Sequence, residues 1–348
     1  MGLLKFSLTT FISLLFLACE GEVSSADLFE IKLDGKKREY FQSEQIEVSI
    51  NNKKNIKIDR VRYSIDGEVL EIQNNTIKLD IEKLGNKTLK AVIEYEENTA
   101  EISKNIRVLA KDPPTIYTYK IINQYPHDIK AFTQGLEFFQ DTLYEGTGSG
   151  GMAKSFIRKI VYQTGEILLQ KDLESPHFGE GITLLNDKLY QLTWKSGFGR
   201  IYDLSHFNNL GEFKYGKSRE GWGLCNDGTN IYKSDGTEKI WLLDPNTLQE
   251  LSFIEIVTNK SIFNMANELE YVNGKIYANV WQKESIMIIN ATSGAIEGVI
   301  NMAGLKEKVK QHNNLDVLNG IAYHPERKTF FVTGKNWDTL FEVTFTPK

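Results

Sequence analysis

From Leu28 to Leu109, apolar and polar residues alternate with a period of two, in stretches such as IEVSI, VRYSIDGEVLEI and KTLKAVIEY. This alternation places apolar side chains on one face of a β-strand and polar side chains on the other. Asp-Gly, Asn-Asn and Gly-Asn pairs punctuate the stretches, as turn residues do. About seven short strands in about 80 residues predict an immunoglobulin-like (Ig-like) β-sandwich.

After residue 130, one short pattern recurs five times, and each copy reads as two strands joined by a turn. The copies are TQGLEFFQDTLYEGTG, GEGITLLNDKLYQLTW, GWGLCNDGTNIYKSDG, NELEYVNGKIYANVW and LNGIAYHPERKTFFVTGK. They begin roughly 42 to 52 residues apart, which is the period of a β-propeller blade. We therefore predict an all-β chain in which a five-bladed β-propeller follows the Ig-like sandwich.

A linker, Asp112-Pro113-Pro114, separates the two patterns. Paired prolines cannot extend a sheet, and they stiffen the connection. The fifth copy ends one strand short of a four-stranded blade, so we expect the strand at residues 116–124 to complete that blade and close the ring. The predicted organisation is a sandwich with its linker over residues 28–112 and a propeller over residues 113–348.

The N-terminal segment MGLLKFSLTTFISLLFLACEG carries one lysine and an apolar stretch from Leu8 to Leu17. The stretch is too short to span a bilayer as a helix and is typical of a secretory signal. Because Ala-Cys ends it and a polar, acidic stretch follows, residues 1–19 resemble a bacterial lipoprotein signal in which Cys19 is acylated. Residues 20–27 then form a tether. We expect an exported, lipid-anchored protein facing the periplasm or the outer-membrane surface, with plain secretion and an uncleaved anchor as alternatives.

Composition excludes several function classes. The formal net charge is -5 with 25% charged residues, which does not indicate a nucleic-acid partner. The five histidines are scattered without the spacing of metal ligands, and no GxSxG motif is present. We therefore expect no metal and no cofactor.

Two sets of positions come into register when the copies are aligned on the aromatic residue of their second strand. The first set opens the inner strand of each copy and comprises Gln134, Glu180, Trp222, Asn267 and Asn319. The second set lies four residues after the aromatic residue and comprises Gly148, Trp194, Gly236, Trp281 and Lys335. In a propeller both sets face the same mouth of the central channel, so we predict a site there.

The residue types in these sets indicate acid/base chemistry. Glu180 follows Phe178 by two positions, and a carboxyl among aromatic rings loses solvation, which raises its pKa toward the range useful for proton transfer. Lys335 is suited to stabilise negative charge on an oxygen, while Asn267 and Gln134 can orient an amide or a carbonyl. The single carboxylate argues against a glycosidase, which normally uses two.

The motifs FTQGL, FGEGI, EGWGL, NELEY and LNGIAY followed by VTGKNW closely resemble the plant and bacterial type of glutaminyl cyclase. The resemblance covers about residues 116–348. It is specific, because every repeat contributes a matching motif in order. It implies a five-bladed propeller that converts the N-terminal glutamine of peptides and proteins to pyroglutamate, releases ammonia and needs no metal.

The same resemblance implies a role for each site residue. Glu180 would be the general acid/base, and Lys335 and Asn267 would hold the carbonyl oxygen as it becomes an oxyanion. The implied substrate-binding residues are Phe132, Gln134, Phe178, Trp194, Trp222, Trp281 and Asn319. Two alternatives stay open: a non-catalytic propeller lipoprotein that binds peptide or glycan, and another propeller enzyme such as a lactonase or lyase.

Overall fold

A computed structural model describes residues 24–35, 37–150 and 154–348. The predicted signal peptide with Cys19, and half of the predicted tether, lie outside these ranges. Within them the chain forms 29 β-strands, one short helix, α1 (Ser25–Leu28), and one 3-10 turn (Lys306–Lys308). No helix in the described part of the chain is long and apolar enough to cross a bilayer. The protein is therefore all-β, as the alternation predicts.

The N-terminal region contains nine strands, two more than the pattern predicts. They are β1 (Phe29–Leu33), β2 (Glu39–Phe41), β3 (Gln45–Asn52), β4 (Ile58–Ile65), β5 (Glu68–Leu70), β6 (Ile72–Gln73), β7 (Thr76–Lys78), β8 (Gly85–Tyr95) and β9 (Asn98–Leu109). The stretch VRYSIDGEVLEI breaks into separate strands because Asp66 and Gly67 both have positive φ, at 52° and 90°, and turn the chain back on itself.

These nine strands form two sheets that share one hydrophobic core. The sheet orders are β1-β3-β7-β6 and β2-β9-β8-β4-β5. Alternate residues point into the core, such as Ile31 and Val48 from the first sheet and Leu89 and Ile106 from the second. The period-two alternation thus records which face of each strand is buried.

The remaining strands form three four-stranded sheets and one eight-stranded sheet. The first four-stranded sheet contains β11 (Phe132–Phe139), β12 (Thr142–Gly148), β13 (Phe156–Val161) and β14 (Glu166–Asp172). The second contains β15 (Gly179–Leu185), β16 (Lys188–Thr193), β17 (Phe198–Asp203) and β18 (Asn209–Lys214). The third contains β19 (Leu224–Asn226), β20 (Ile231–Ser234), β21 (Lys239–Leu243) and β22 (Glu250–Glu255).

The eight-stranded sheet joins two groups of four strands. The first group is β23 (Ala266–Val272), β24 (Lys275–Val280), β25 (Ser285–Asn290) and β26 (Ile296–Asn301). The second group, in the order of pairing, is β10 (Thr115–Pro126), β29 (Thr339–Pro347), β28 (Thr329–Gly334) and β27 (Leu318–His324). The five sequence copies therefore correspond to five four-stranded units.

Each copy forms an antiparallel hairpin, as predicted: β11 with β12, β15 with β16, β19 with β20, β23 with β24, and β27 with β28. The first strands of the hairpins contact one another in cyclic order, and β27 contacts β11 again. The contact is close: a Cβ at Gly181 would lie 2.6 Å from the Cα of Gly223 in the next unit. The strand starts, and with them the first set of positions, therefore meet at one centre.

The strand before the first copy completes the last unit. β10 runs antiparallel to β29, with Thr118 opposite Thr346 and Tyr125 opposite Leu340. Its start also pairs in parallel with β26, where Thr115 lies opposite Gly298. The expected pairing of residues 116–124 with the last copy is confirmed. At its start, β10 pairs with a strand on each side, so neither of its edges is exposed there.

The N-terminal region contacts the third and fourth units directly as well as through the proline linker. The Glu255 carboxylate accepts hydrogen bonds from the backbone N–H of Asn86 and from its Nδ2, the latter at 3.1 Å. Val257, fully buried, packs into the N-terminal core. The backbone N–H of Leu84 donates to the Ser293 carbonyl at 3.0 Å. Both polar and apolar contacts therefore hold the two regions together.

Gly85 and Gly67 offer a matched pair for testing this junction. Both have positive φ, at 105° and 90°, but a Cβ at Gly85 would lie 1.9 Å from Glu255 Oε2, whereas nothing lies within 4 Å of a Cβ at Gly67. We expect Gly85→Ala to lower the free energy of unfolding by about 1–3 kcal/mol more than Gly67→Ala, because only the former displaces Glu255. Urea unfolding measures the difference, and equal losses in the two variants would contradict the contact.

Candidate active site

A cavity of about 820 Å³ opens where the inner strands begin. It brings together nine of the ten side chains that the sequence assigns to the reaction or to substrate binding: Phe132, Gln134, Phe178, Glu180, Trp194, Trp222, Asn267, Trp281 and Lys335. They come from all five hairpins, which explains why residues far apart in sequence share one cavity.

Asn319 is the predicted site residue that does not line the cavity. It is fully buried in β27, where its Nδ2 donates to Gln134 Oε1 at 2.9 Å and to the Thr133 carbonyl at 3.0 Å. Because Oε1 of Gln134 is occupied in this way, its Nε2 donor remains available to the cavity. Asn319 therefore orients Gln134 from a position outside the cavity lining.

Glu180 and Lys335 are buried ionisable groups of the cavity, each about 5% exposed, and Asp235 is a third at 7%. Burial raises the pKa of Glu180 well above its usual range, and the positive charge of Lys335 offsets this only partly. Burial also lowers the pKa of Lys335, against the opposing effect of Glu180 and Asp316. Desolvation therefore shifts the pKa values of the carboxyl and the ammonium toward each other, and the raised pKa of Glu180 suits it to proton transfer.

Lys335 follows β28 in a fixed local arrangement. Its backbone N–H donates to the Val317 carbonyl at 2.9 Å, and its carbonyl accepts from Asp316 N–H at 3.1 Å. Its Nζ lies 4.8 Å from the centroid of the Phe132 ring. A cation over an aromatic face is stabilised without losing its donors, so the ammonium stays free to bind an oxygen.

Aromatic rings form two groups in the cavity wall. The Phe178 ring contacts both Phe132 and Trp194, with centroids 6.1 Å and 5.7 Å apart. Trp222 and Trp281 meet edge to face at 5.8 Å. Such walls bind the apolar part of a ligand and exclude water from its polar end.

The two glycines of the second set make room for these rings. A Cβ at Gly148 would lie 2.1 Å from the Phe178 ring. A Cβ at Gly236, which has φ of 78°, would lie 2.6 Å from the Trp222 ring. The second set thus supplies either an aromatic or basic side chain, or the space in which a neighbouring ring packs.

Glu220 is a site residue that sequence reasoning missed. Its Oε2 accepts from the Nε1 atoms of Trp194, at 2.8 Å, and Trp222, at 2.9 Å. Lys195 Nζ lies 3.8 Å from its other oxygen. One carboxylate therefore fixes two indoles from different units. The available signal was the motif EGW, which places an acid two residues before a first-set tryptophan.

Other carboxylates of this region have structural partners. Asp235 accepts from Trp241 Nε1 at 2.7 Å and from Thr237 N–H at 3.0 Å. Glu268 accepts from the backbone N–H groups of Leu136 and Ile321, at 3.2 Å and 2.7 Å. Across residues 24–35, 37–150 and 154–348, no three His, Cys, Asp or Glu side chains form a group able to hold a metal ion.

Comparisons with known proteins identify the family of this chain. The sequence profile of the glutamine cyclotransferase family matches residues 90–345. A glutaminyl-peptide cyclotransferase from Arabidopsis thaliana is 37% identical over 227 residues, which are 64% of this chain and 70% of the relative. The crystal structure of Myxococcus xanthus glutaminyl cyclase superposes with a TM-score of 0.62 at 32% identity, covering 68% of this chain and 99% of the other.

The family and the Arabidopsis relative are both cyclotransferases, and this is the class of protein that the chain resembles. The chain belongs to the glutamine cyclotransferase family. The resemblance read from the sequence motifs is thereby confirmed. The family match begins inside β8, so it includes part of β8 and the whole of β9 as well as the five hairpins.

Glu220→Ala should loosen the indoles of Trp194 and Trp222, because both lose their hydrogen-bond acceptor. We expect the free energy of unfolding to fall by about 1–2 kcal/mol and acrylamide quenching of tryptophan fluorescence to increase. Glu238→Ala is the control, since Glu238 also lines the cavity but makes only a 4.0 Å ion pair with Lys239. Identical quenching in both variants would remove Glu220 from this role.

Proposed function

We propose that this protein is a glutaminyl-peptide cyclotransferase, which converts the N-terminal glutamine of peptides or proteins to pyroglutamate with release of ammonia. The observation that carries the proposal is that desolvated Glu180 and buried Lys335 lie in one aromatic cavity, in a chain of the glutamine cyclotransferase family. The reaction needs one proton shuttle and one site for an oxyanion, and these two groups supply them.

The first task of the site is to fold the substrate. The α-amine of glutamine must approach the δ-carbon of its own side chain, and holding that geometry removes a large entropic part of the barrier. We propose that the rings of Phe132, Phe178, Trp194, Trp222 and Trp281 pack against the aliphatic stem of the glutamine. Gln134, oriented by Asn319, donates from Nε2 to a carbonyl of the substrate.

Glu180 is the proposed general acid/base. As the amine nitrogen bonds to the δ-carbon, Glu180 takes a proton from that nitrogen. It then gives the proton to the amide nitrogen, and the bond between the δ-carbon and that nitrogen breaks to release ammonia. The raised pKa of Glu180 suits the first half of this transfer, because its carboxylate is a stronger base than one with an ordinary pKa.

Lys335 and Asn267 are the proposed partners of the oxyanion that forms on the δ-carbonyl oxygen. The side chains of both line the cavity and are at most 5% exposed. Donors placed in a water-poor cavity stabilise developing charge more strongly than donors in water. No step of this scheme requires a cofactor.

We further propose an architecture and a cellular setting. The cyclic contacts of the first strands support a five-bladed propeller over residues 113–348. The two sheets with one core support an Ig-like sandwich over residues 28–112. The sequence of residues 1–19 supports export and lipid anchoring through Cys19.

Glu180→Gln preserves the shape of the side chain but cannot accept a proton. We expect kcat for ammonia release from Gln-initiated dipeptides to fall at least about 100-fold, within the usual range for general acid/base groups. Thermal unfolding should show a native fold. A near-wild-type rate would remove Glu180 from the mechanism, and peptide binding without ammonia release by the wild type would favour the non-catalytic alternative.

The pH profile tests Lys335. Burial lowers its pKa from 10.5, and the reaction needs the ammonium, so the rate should fall as pH rises through this lowered pKa. Arginine stays protonated throughout. Lys335→Arg should therefore be slower, by about tenfold because its planar group differs in shape, yet lose the basic limb of the kcat profile. An unchanged basic limb in this variant would mean that another group titrates.

A further inference from the structure

Three exposed basic side chains, Lys195, Lys217 and Arg219, line the mouth of the cavity, and we call them the cationic rim. The chain as a whole is acidic, with 46 Asp and Glu against 41 Lys and Arg. The cationic rim thus places three positive charges together at the cavity of a chain whose formal net charge is negative. Charge of this kind at a cleft mouth attracts anionic groups.

The charge of the cationic rim is only partly balanced by the protein. Glu220 is the neighbouring acid, and it already accepts from two indoles and lies 3.8 Å from Lys195. Of the other acids that line the cavity outside the reaction site, Asp235 is bonded to Trp241, Glu238 pairs with Lys239, and Asp316 accepts from the backbone N–H of Val317. In the described part of the chain, no carboxylate forms an ion pair with the Lys217 or Arg219 side chain.

Hydrogen bonds to Glu250 and Lys233 hold the segment that carries Lys217 and Arg219. Ser218, between them, is 6% exposed, and its N–H and that of Lys217 donate to Glu250 Oε2 at 3.1 Å and 2.6 Å. Ser218 Oγ accepts from the buried Lys233 Nζ, which lies 3.4 Å from Glu250 Oε1. Ser218 is buried and its two neighbours, Lys217 and Arg219, are exposed. Their positive charges therefore lie on a segment that hydrogen bonds hold in place.

The cationic rim adjoins the reaction site. Glu220, which follows Arg219, bonds the indoles of Trp194 and Trp222 in the cavity wall. Its charge also contributes to the raised pKa of Glu180, so the two lie within electrostatic range. The buried Glu180 and Lys335 mark the inner end, where an N-terminal glutamine would react. The residues that follow the glutamine must leave through the mouth.

We propose that the cationic rim binds a carboxylate of the substrate within the two residues that follow the N-terminal glutamine, and so makes the enzyme selective for acidic peptides. The inference rests on the proposed function, because the glutamine fixes which end of the peptide enters. The carboxylate that the cationic rim binds has two chemical sources in a peptide, which are an Asp or Glu side chain and a free C-terminus. Peptides with amidated and free C-termini separate them.

The test compares kcat/KM for the amidated tripeptides Gln-Glu-Ala, Gln-Gln-Ala and Gln-Lys-Ala, and for Gln-Gln-Ala with a free C-terminus. We expect the Glu peptide to be favoured over the neutral peptide by about five- to tenfold at low ionic strength, and less at high salt, as for exposed charge pairs. A preference confined to the free C-terminus would assign the rim to that group instead of the side chain.

Two variants test whether the cationic rim causes the preference for the Glu peptide. Lys217→Gln with Arg219→Gln should bring the ratio between the Glu and Gln peptides close to one. Lys188→Gln is the matched control, since Lys188 is exposed at the start of β16 but does not line the cavity, and it should keep the wild-type ratio. A wild-type ratio near one, or loss of the preference in the control, would overturn the proposal.

A binding measurement separates this inference from the proposed function. The four peptides are titrated against Glu180→Gln, with tryptophan fluorescence as the readout. Tighter binding of the Glu peptide supports the cationic rim even if the wild type releases no ammonia, in which case the proposed function fails alone. Cyclisation of all peptides with equal rates and equal binding overturns the cationic rim alone.

Discussion

The close approach of the inner strands at the centre is the constraint on which the rest of the structure depends. The residue after a first-set position has no space for a side chain: a Cβ at Gly135 would lie 2.4 Å from the backbone N of Ile182. At Gly223 it would lie 2.1 Å from the carbonyl oxygen of Asn267. Backbone therefore packs on backbone around the centre. Of the preceding residues, which carry the first set, Gln134, Glu180, Trp222 and Asn267 line the cavity.

The fourth unit departs from this rule, because Glu268 stands where each of the other four units has a glycine packed against the next strand. Its carboxylate bonds the backbone N–H groups of Leu136 and Ile321, and so ties the inner strands of the first and fifth units to its own. Burial raises the pKa of Glu268 as it does that of Glu180. The two carboxyls differ in their partners, since Glu268 is held by backbone donors and, among the described residues, Glu180 is held by none. One stabilises the ring, and the other is free for chemistry.

The sequence was sufficient for those features that repeat. The aromatic residue of each second strand fixes the register of the copies, and this register alone assembles Glu180, Lys335 and the tryptophans in one cavity. It was not sufficient for features that occur once. The Glu220 contact with two indoles and the Lys233–Ser218–Glu250 cluster join residues through tertiary distances that no repeat records. The same is true of Val257, which is an ordinary strand residue in sequence but completes the core of the N-terminal region.

The pairing of β10 with β29 has a consequence for the order in which the protein forms. Asn123 and Glu342, which bond across this pair, are 219 positions apart along the chain. β10 leaves the ribosome early but has no antiparallel partner until the last unit has been made. Contacts of such long range fold slowly, because loop-closure entropy is lost before they form. The strands of the N-terminal region pair within residues 29–109, so they are made long before, and the region carries β10 on its end while the ring is still open.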